Sequence, residues 1–368
     1  QTFKVPRRLM RPGSTACKSL FYLIFYLNHA AFALLYIATG PMKSTRIMRS
    51  RIWKDYIDTD LVVVGHDSLI ASYGYLPLIL FFRVLGKRII ILGGGVGSYG
   101  SRIWSIFAKI ILNKLDLITL REELSFAYLK SIGIVEPPMY VTADPAFLMQ
   151  PISTDVAIEL LKEEDTAVGE RPLLGMTVSW ISTSKHCFPE LKQKEEKFCR
   201  YSQLMAEVID NLVQEHDLTI VLISHVFGPE NEQDDRIVIE SIYRLVKEKK
   251  NVRVINKQYK AEEIKGIIGQ LDLLVGERLH SVIAAVSMGT PVVAVTYPSP
   301  RMRGVAKMME IEKWVYNVEN LSVESIVTMI NHAWKVRHDT KQHLMQQKSS
   351  VKEKAEENSV LIKKLVQW

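Results

Sequence analysis

The chain has 368 residues, of which 48% are apolar and 24% charged. That length exceeds what one hydrophobic core organises and that apolar content fills two, which excludes a disordered or fibrous protein. Its three cysteines, Cys17, Cys187 and Cys199, have no CxxC spacing and no companion histidine pattern, so neither a zinc site nor a disulfide framework is expected and a reducing compartment fits best.

The net charge of +7 is unevenly placed. Residues 1–60 hold ten Lys or Arg against three acids, while the rest of the chain balances at 37 against 37. This excess brackets an apolar segment, Leu20 to Ala38, interrupted by Asn28 and His29 and closed by Gly40-Pro41. The segment is close to the roughly 20 residues that span a bilayer, yet basic residues flank both ends rather than marking one side as cytoplasmic. A buried or interfacial helix is the leading expectation, with residues 1–54 meeting an anionic membrane surface. A spanning helix and a signal peptide led by Arg7, Arg8 and Arg11 stand behind it. Nucleic acid is not an expected partner, because these charges are not interleaved with exposed stacking aromatics.

From Asp60 strands and helices alternate, the pattern of a parallel sheet. Leu61–Val64 is a strand ending at Gly65-His66-Asp67, and Arg88–Leu92 is a second ending at Gly93-Gly94-Gly95-Val96-Gly97. A helix over 102–113, a strand over 117–120, a helix over 122–132 and a strand near 139–142 follow, and Asp144-Pro145 closes the series. A second series has strands at 173–178, 218–224 and 252–255, with helices near 201–214, 236–247 and 261–270. His225 follows the second of these strands, ahead of a loop over 228–235 rich in Gly, Pro, Asn and Asp. The buried strand Leu271–Val275 then delivers Gly276-Glu277-Arg278-Leu279-His280 into a turn. A helix of small residues starts at Ser281, Gly289-Thr290-Pro291 breaks it, and Val292–Val295 is a further strand. Lys341 to Val366 reads as one long helix with a solvated charged face.

Two such series predict an α/β fold with two Rossmann-like domains in a glycosyltransferase-B-like arrangement and an active site in the interdomain cleft. The expected boundaries are 1–148, 149–335 and a separate charged helix over 336–368. An arginine and a histidine at a strand's carboxyl end, beside a helix start, mark an anion site. The glycine-rich turn at 93–97 is weak evidence for a dinucleotide, since no acid stands at a strand end about twenty positions on. It reads better as a tight turn that lets backbone approach a ligand.

The Arg-Leu-His segment, together with Leu120-Arg121-Glu122-Glu123-Leu124-Ser125, Leu129, Gly133, Thr142-Ala143-Asp144-Pro145-Ala146-Phe147 and Tyr297-Pro298-Ser299-Pro300-Arg301, resembles the polysaccharide pyruvyltransferase family. The resemblance implies a transferase that moves the enolpyruvyl unit of phosphoenolpyruvate onto two hydroxyls of one sugar as a cyclic ketal. It further implies no cofactor beyond that donor, a lipid-linked or polymeric sugar acceptor, and a cytoplasmic place on the inner face of the membrane. A homo-oligomer is compatible with the chain. The family's opening strand, with its Gly-Asn-x-Gly-Asp turn, is not found before the apolar segment, so an incomplete or divergent first domain is expected.

Phosphoenolpyruvate carries a carboxylate and a phosphate, which guanidinium forks match. Arg121, Arg278 and Arg301 are the expected contacts, with Gly276 and Leu279 in the same turn as Arg278. By resemblance Arg121 and Arg278 sit at family arginine positions, whereas Arg301 stands where many members carry lysine. Ketal formation needs a proton delivered to the enol methylene carbon and a hydroxyl deprotonated as it attacks. Histidine titrates in the right range for this, and His280 is the expected carrier with its role as acid or base open. His225 is a second proton-transfer candidate, and Asp234 and Asp235 are candidate acceptor contacts. Gly65, His66, Asp67 and Gly95 are further acceptor-side candidates, His66 and Asp67 replacing glycines of relatives.

Structural roles compete for these residues. His280 reads alternatively as a satisfied core histidine, Arg278 as a partner of Asp272 or Glu277, Arg121 as a surface ion pair with Glu122 or Glu123, and Arg301 as general basic surface. Asp144 is expected to position the domain junction. A nucleotide-sugar-dependent glycosyltransferase is the alternative enzyme, although Ser287-Met288-Gly289-Thr290 lacks the acid such enzymes use to hold a ribose. A non-catalytic scaffold of a polysaccharide assembly complex is the other alternative.

Overall fold

The computed structural model describes residues 15–65, 76–228, 233–297 and 300–367. The chain divides into two units, Gln1–Val141 and Thr142–Trp368. The division falls between Val141 and Thr142 rather than after 148, and the carboxyl-terminal helix belongs to the second unit instead of standing apart.

Unit 1 runs α1 (Thr15–Met48), α2 (Arg51–Ile57), β1 (Leu61–Val64), α3 (Leu76–Val84), β2 (Arg88–Gly94), α4 (Arg102–Leu112), β3 (Leu117–Leu120), α5 (Glu123–Ser131) and β4 (Met139–Val141). Its four strands are parallel in the order β1-β2-β3-β4. Ile89, Ile91, Ile118 and Leu120 of the two central strands are fully buried. These strands read as continuous apolar runs because a parallel sheet is covered on both faces.

Helix α1 is kinked where Gly40 takes φ 77° ahead of Pro41, a residue that removes a helical hydrogen bond. One side packs: His29 and Phe32 meet Trp53 and Phe81, with the Phe32 and Trp53 rings stacked 4.3 Å apart. The remaining surface is open. Within Tyr22–Met48, 27 residues long, the most apolar 18-residue window has a mean hydropathy of 1.5 and is only 11% buried, and by length and composition the helix could cross a membrane. A fully buried helix is thereby excluded.

Unit 2 contains α6 (Thr154–Glu163), β5 (Leu173–Thr177), α7 (Lys194–Glu215), β6 (Thr219–Ile223), α8 (Asp235–Leu245), β7 (Val252–Ile255), α9 (Ala261–Ile268) and β8 (Leu273–Gly276). It continues with α10 (Leu279–Met288), β9 (Val292–Thr296), α11 (Pro300–Met308), β10 (Val315–Asn317), α12 (Val323–Lys335) and α13 (Arg337–Val366). Six parallel strands lie in the order β10-β9-β8-β5-β6-β7. The chain therefore winds outward from β5 through β6 and β7, then returns to place β8 on the other side. The switch point between β5 and β8 is where open α/β sheets bind ligands.

Two local features fix that edge. Helix α10 is buried from Ser281 to Ser287, and burying an aliphatic side chain such as Val282, Ile283 or Val286 contributes about 1.5–3 kcal/mol. It ends because Gly289 adopts the left-handed conformation, φ 80°, where a Cβ would also stand 2.6 Å from Met345 Sδ. Helix α13 is densely charged yet carries Leu344, Val351 and Ala355 into the unit's core. The Asn358 amide adds a donor to the Ala143 carbonyl at 2.9 Å.

Candidate functional site

Parallel pairing sets the carboxyl ends of β8, β5 and β6 side by side, so the residues that follow each strand share one edge of the sheet. After β8 come Glu277 to His280, after β5 Val178 to Trp180, and after β6 Ser224 to Val226.

Arg278 occupies the N-cap position of α10. Its Nε donates to Asp235 Oδ2 at 3.3 Å and its Nη2 to Asp235 Oδ1, so the expected partners Asp272 and Glu277 give way to a residue on α8. Asp235 is fully buried at the first turn of α8 and also accepts the N–H groups of His225, at 3.3 Å, and Val226, at 2.9 Å. Burial pushes its carboxyl above the usual range, against the opposing pull of Arg278 and the two amides. A buried acid thus aims a guanidinium that remains partly open to solvent.

The neighbouring Glu277 faces the other way. Its carboxylate accepts the Tyr201 hydroxyl, and the Ser179 N–H and hydroxyl at 2.7 and 2.8 Å. Burial pushes Glu277 up to about 7, although these bonds and Arg278 act in the opposite sense. The same burial, with Glu277 beside it, holds the Tyr201 hydroxyl well above its ordinary value.

His280 is no core histidine: its side chain is 52% exposed, with Nε2 3.7 Å from Asp144 Oδ2. Asp144 in turn accepts the Ala146 N–H at 2.9 Å and caps a short 3-10 turn, Pro145–Leu148. His225 is the opposite case. Its Nδ1 is buried without a hydrogen-bond partner among the described residues, and burial, with the charges of His280 and Arg278, pulls it down to about 4. A histidine so depressed is neutral at physiological pH and a weak base. A cavity of about 300 Å³ opens beside His225, lined also by Phe227, Gln258, Tyr259 and Ile264.

Gly276 closes β8 where a Cβ would sit 2.8 Å from Val282 Cγ2, and Leu279, partly buried, anchors the first turn of α10 to the core. Arg301 lies in the first turn of α11, with Nη2 3.5 Å from the Tyr297 hydroxyl. Asp234 is engaged within its own turn, accepting the Arg236 N–H at 3.0 Å and Nε at 2.9 Å. Asp234 and Asp235 are therefore structural partners of arginines rather than carboxylates open to a sugar.

In unit 1, Arg121 is 2% exposed, not a surface ion pair. It lies beneath the glycine turn, where a Cβ on Gly95 would approach its Nη2 and Nε to 2.8 and 2.9 Å. Glu122 is buried too and caps α5 by accepting the Ser125 N–H at 2.9 Å. Burial pushes its carboxyl up. Gly65 follows β1, and no atom of the described residues stands within 4 Å of a Cβ built on it, while His66 and Asp67 lie outside the described residues. Among the described residues no group of three or more His, Cys, Asp or Glu could hold a metal ion.

Residues 11–300 match the sequence model of the polysaccharide pyruvyl transferase family. The chain belongs to that family. Amylovoran biosynthesis protein AmsJ of Erwinia amylovora is 23% identical over 274 residues, which cover 74% of this chain and 64% of that protein. The chain thus spans under two thirds of that relative. Among solved structures, Anabaena HepE in complex with UDP superposes with a TM-score of 0.56 at 12% identity, over 86% of this chain and 80% of that one. A trehalose 6-phosphate synthase from Burkholderia multivorans gives 0.56 at 12% identity, over 97% and 77%. A putative UDP-N-acetylglucosamine 2-epimerase from Listeria monocytogenes gives 0.52 at 15%, over 85% and 70%. At these identities the likeness shows the fold, a glycosyltransferase-B-like α/β architecture. In this pyruvyl transferase family member, the two residues that the sequence did not tie to the site are Ser179 and Tyr201. Neither lies near the Arg-Leu-His segment in sequence.

Proposed function

We propose that the protein transfers the enolpyruvyl unit of phosphoenolpyruvate to two hydroxyls of one sugar in a cell-surface polysaccharide or its lipid-linked precursor, forming a cyclic ketal and releasing phosphate. The observation that carries this reading is the turn after β8. There Asp235 pre-aims the Arg278 guanidinium beside the N-terminus of α10, and half-exposed His280 stands two residues on. Arg278, the α10 amides and Arg301 supply the charge that a carboxylate and a phosphate require.

The chemistry balances without a redox partner. His280 relays the proton of the first hydroxyl to the enol methylene, which becomes a methyl group as that hydroxyl's oxygen bonds the adjacent carbon. Phosphate then leaves that carbon, the second hydroxyl's oxygen takes its place, and its proton departs with the phosphate. Family membership and the name of the Erwinia relative support a polysaccharide acceptor. The open apolar face of α1, with its basic flanks, supports attachment of residues 1–54 to the inner face of the membrane.

The glycosyltransferase reading draws on the UDP-bound neighbours. Against it, the end of α10, Ser287-Met288, presents no carboxylate to a ribose. Phosphoenolpyruvate labelled in its carboxyl carbon, incubated with lipid-linked glycans, decides the matter. Label passing into the lipid extract with one phosphate released per label supports the transfer, whereas label entering only from a nucleotide sugar overturns it.

A further inference from the structure

Helix α4, Arg-Ile-Trp-Ser-Ile-Phe-Ala-Lys-Ile-Ile-Leu, is apolar on nearly every side. One face is accounted for, since Ala108, Ile111 and Leu112 are buried in the core of unit 1. The other bears Ile103, Ile106, Phe107 and Ile110, which are 68%, 51%, 51% and 57% exposed. Their spacing of i, i+3, i+4 and i+7 makes one continuous stripe where a surface helix of a soluble protein carries polar residues. Trp104 stands at its edge, tilted against Phe107.

The stripe is not isolated. Helix α3, which packs against both α1 and α4, adds exposed Leu80 and Val84, and α1 adds Leu23, Leu27, Leu34 and Ile37. Apolar exposure therefore extends over three helices of one unit. Charge identifies what covers it. Residues 1–115 hold sixteen Lys or Arg against four acids, while the rest of the chain holds 31 against 36. Helix α4 contains no acid, and Arg102, Lys109 and Lys114 are exposed on and beside it. A second copy would bring the same positive charge against itself. An anionic lipid surface complements both the charge and the apolar stripe, and Trp104 suits the headgroup boundary.

We propose that α4 is an interfacial membrane helix, inserted by Ile103, Ile106, Phe107 and Ile110 into an anionic leaflet, so that unit 1 docks through a face of its folded body and not by residues 1–54 alone. The proposal stands independently of the transferase chemistry. It is tested with the full chain on phosphatidylglycerol/phosphatidylcholine vesicles. Ile106→Ser/Phe107→Ser should lower the partition coefficient about tenfold or more, from the apolar area withdrawn. Arg102→Glu/Lys114→Glu should weaken binding to these vesicles but not to pure phosphatidylcholine. Brominated lipid should quench tryptophan emission in the wild type, and Trp104→Phe should remove a large part of that quenching. Unchanged thermal unfolding would establish that the variants remain folded. Undiminished partition of the serine variant, or undiminished quenching in Trp104→Phe, would overturn the proposal by leaving attachment to α1. Loss of a wild-type oligomer in the serine variant with no change in vesicle binding would also overturn it, giving the stripe to a second copy.

Discussion

The turns after β3 in unit 1 and after β8 in unit 2 are built from the same parts, an arginine and a glutamate between a buried strand and a helix, and use them oppositely. After β3 the arginine, Arg121, is buried under Gly95 and the glutamate, Glu122, caps the helix. After β8 the glutamate, Glu277, is drawn inward to Tyr201 and Ser179, while Arg278 occupies the N-cap position without a side-chain capping bond and keeps part of its guanidinium in solvent. In both turns the residue directly after the strand is drawn inward, but only after β8 does the second residue keep part of its charge in solvent, since Glu122 is buried as well. A turn that presents its arginine can take an anion from solvent.

The largest effect should fall on the presented side. His280→Ala should reduce pyruvyl transfer by about 10²–10⁴-fold, the usual range for losing a general acid or base, with an unchanged unfolding midpoint because the side chain is half exposed. Activity near the wild type would move the proton transfer away from this turn. Arg278→Ala leaves Asp235 buried without its cation and should cost about 3–5 kcal/mol in denaturant unfolding. Adding Asp235→Asn should recover part of that loss. No recovery would mean that Asp235 is held by the His225 and Val226 amides and does not aim the arginine.

Glu277 sharpens the contrast through pH. Its folded value is near 7 against an ordinary 4.5, so between those values the folded state holds a proton that the unfolded state has released. Its stabilising contribution is full below about 4.5 and is lost as pH rises through 7. Relative to Glu277→Gln, the wild type should therefore lose about 1–3 kcal/mol over that interval. His225, with its depressed value, acts in the opposite sense as pH falls, but it is common to both proteins and cancels in the difference. A flat difference curve would show that Glu277 is ionised throughout. Smallest of all, Gly95→Ala should cost about 1–2 kcal/mol by crowding buried Arg121, whereas Gly65→Ala, whose added Cβ meets no atom of the described residues within 4 Å, should cost about a few tenths.

Much of this was legible in the chain. The alternation of apolar strands with helices gave two parallel α/β series, and the strand edges at 61–64, 117–120, 252–255 and 292–295 fell within a residue of those observed. The Arg-Leu-His turn was visible because a strand, two cationic side chains and a helix of small residues are contiguous in sequence. What joined that turn to its surroundings was not. Ser179, Tyr201 and Asp235 reach it only because β5 lies between β8 and β6, and strand order is a non-local property that no periodicity records. The sequence of α13 reads as a solvated charged helix because its lysines outnumber the narrow stripe of Leu344, Val351 and Ala355 that ties it to the core. Exposure was equally hidden: α4 and α10 are both strongly apolar, yet small residues let α10 be enclosed while the large ones on α4 face outward.

The most direct measurement is thermal unfolding with phosphoenolpyruvate and, separately, with a panel of nucleotide sugars, each variant compared with its own ligand-free form. At about 100 times its dissociation constant a ligand should stabilise by about 2.7 kcal/mol. That shift is expected with phosphoenolpyruvate and should be lost in Arg278→Ala. A shift with nucleotide sugars alone, or one with phosphoenolpyruvate that survives in Arg278→Ala, would contradict transfer from phosphoenolpyruvate at this turn.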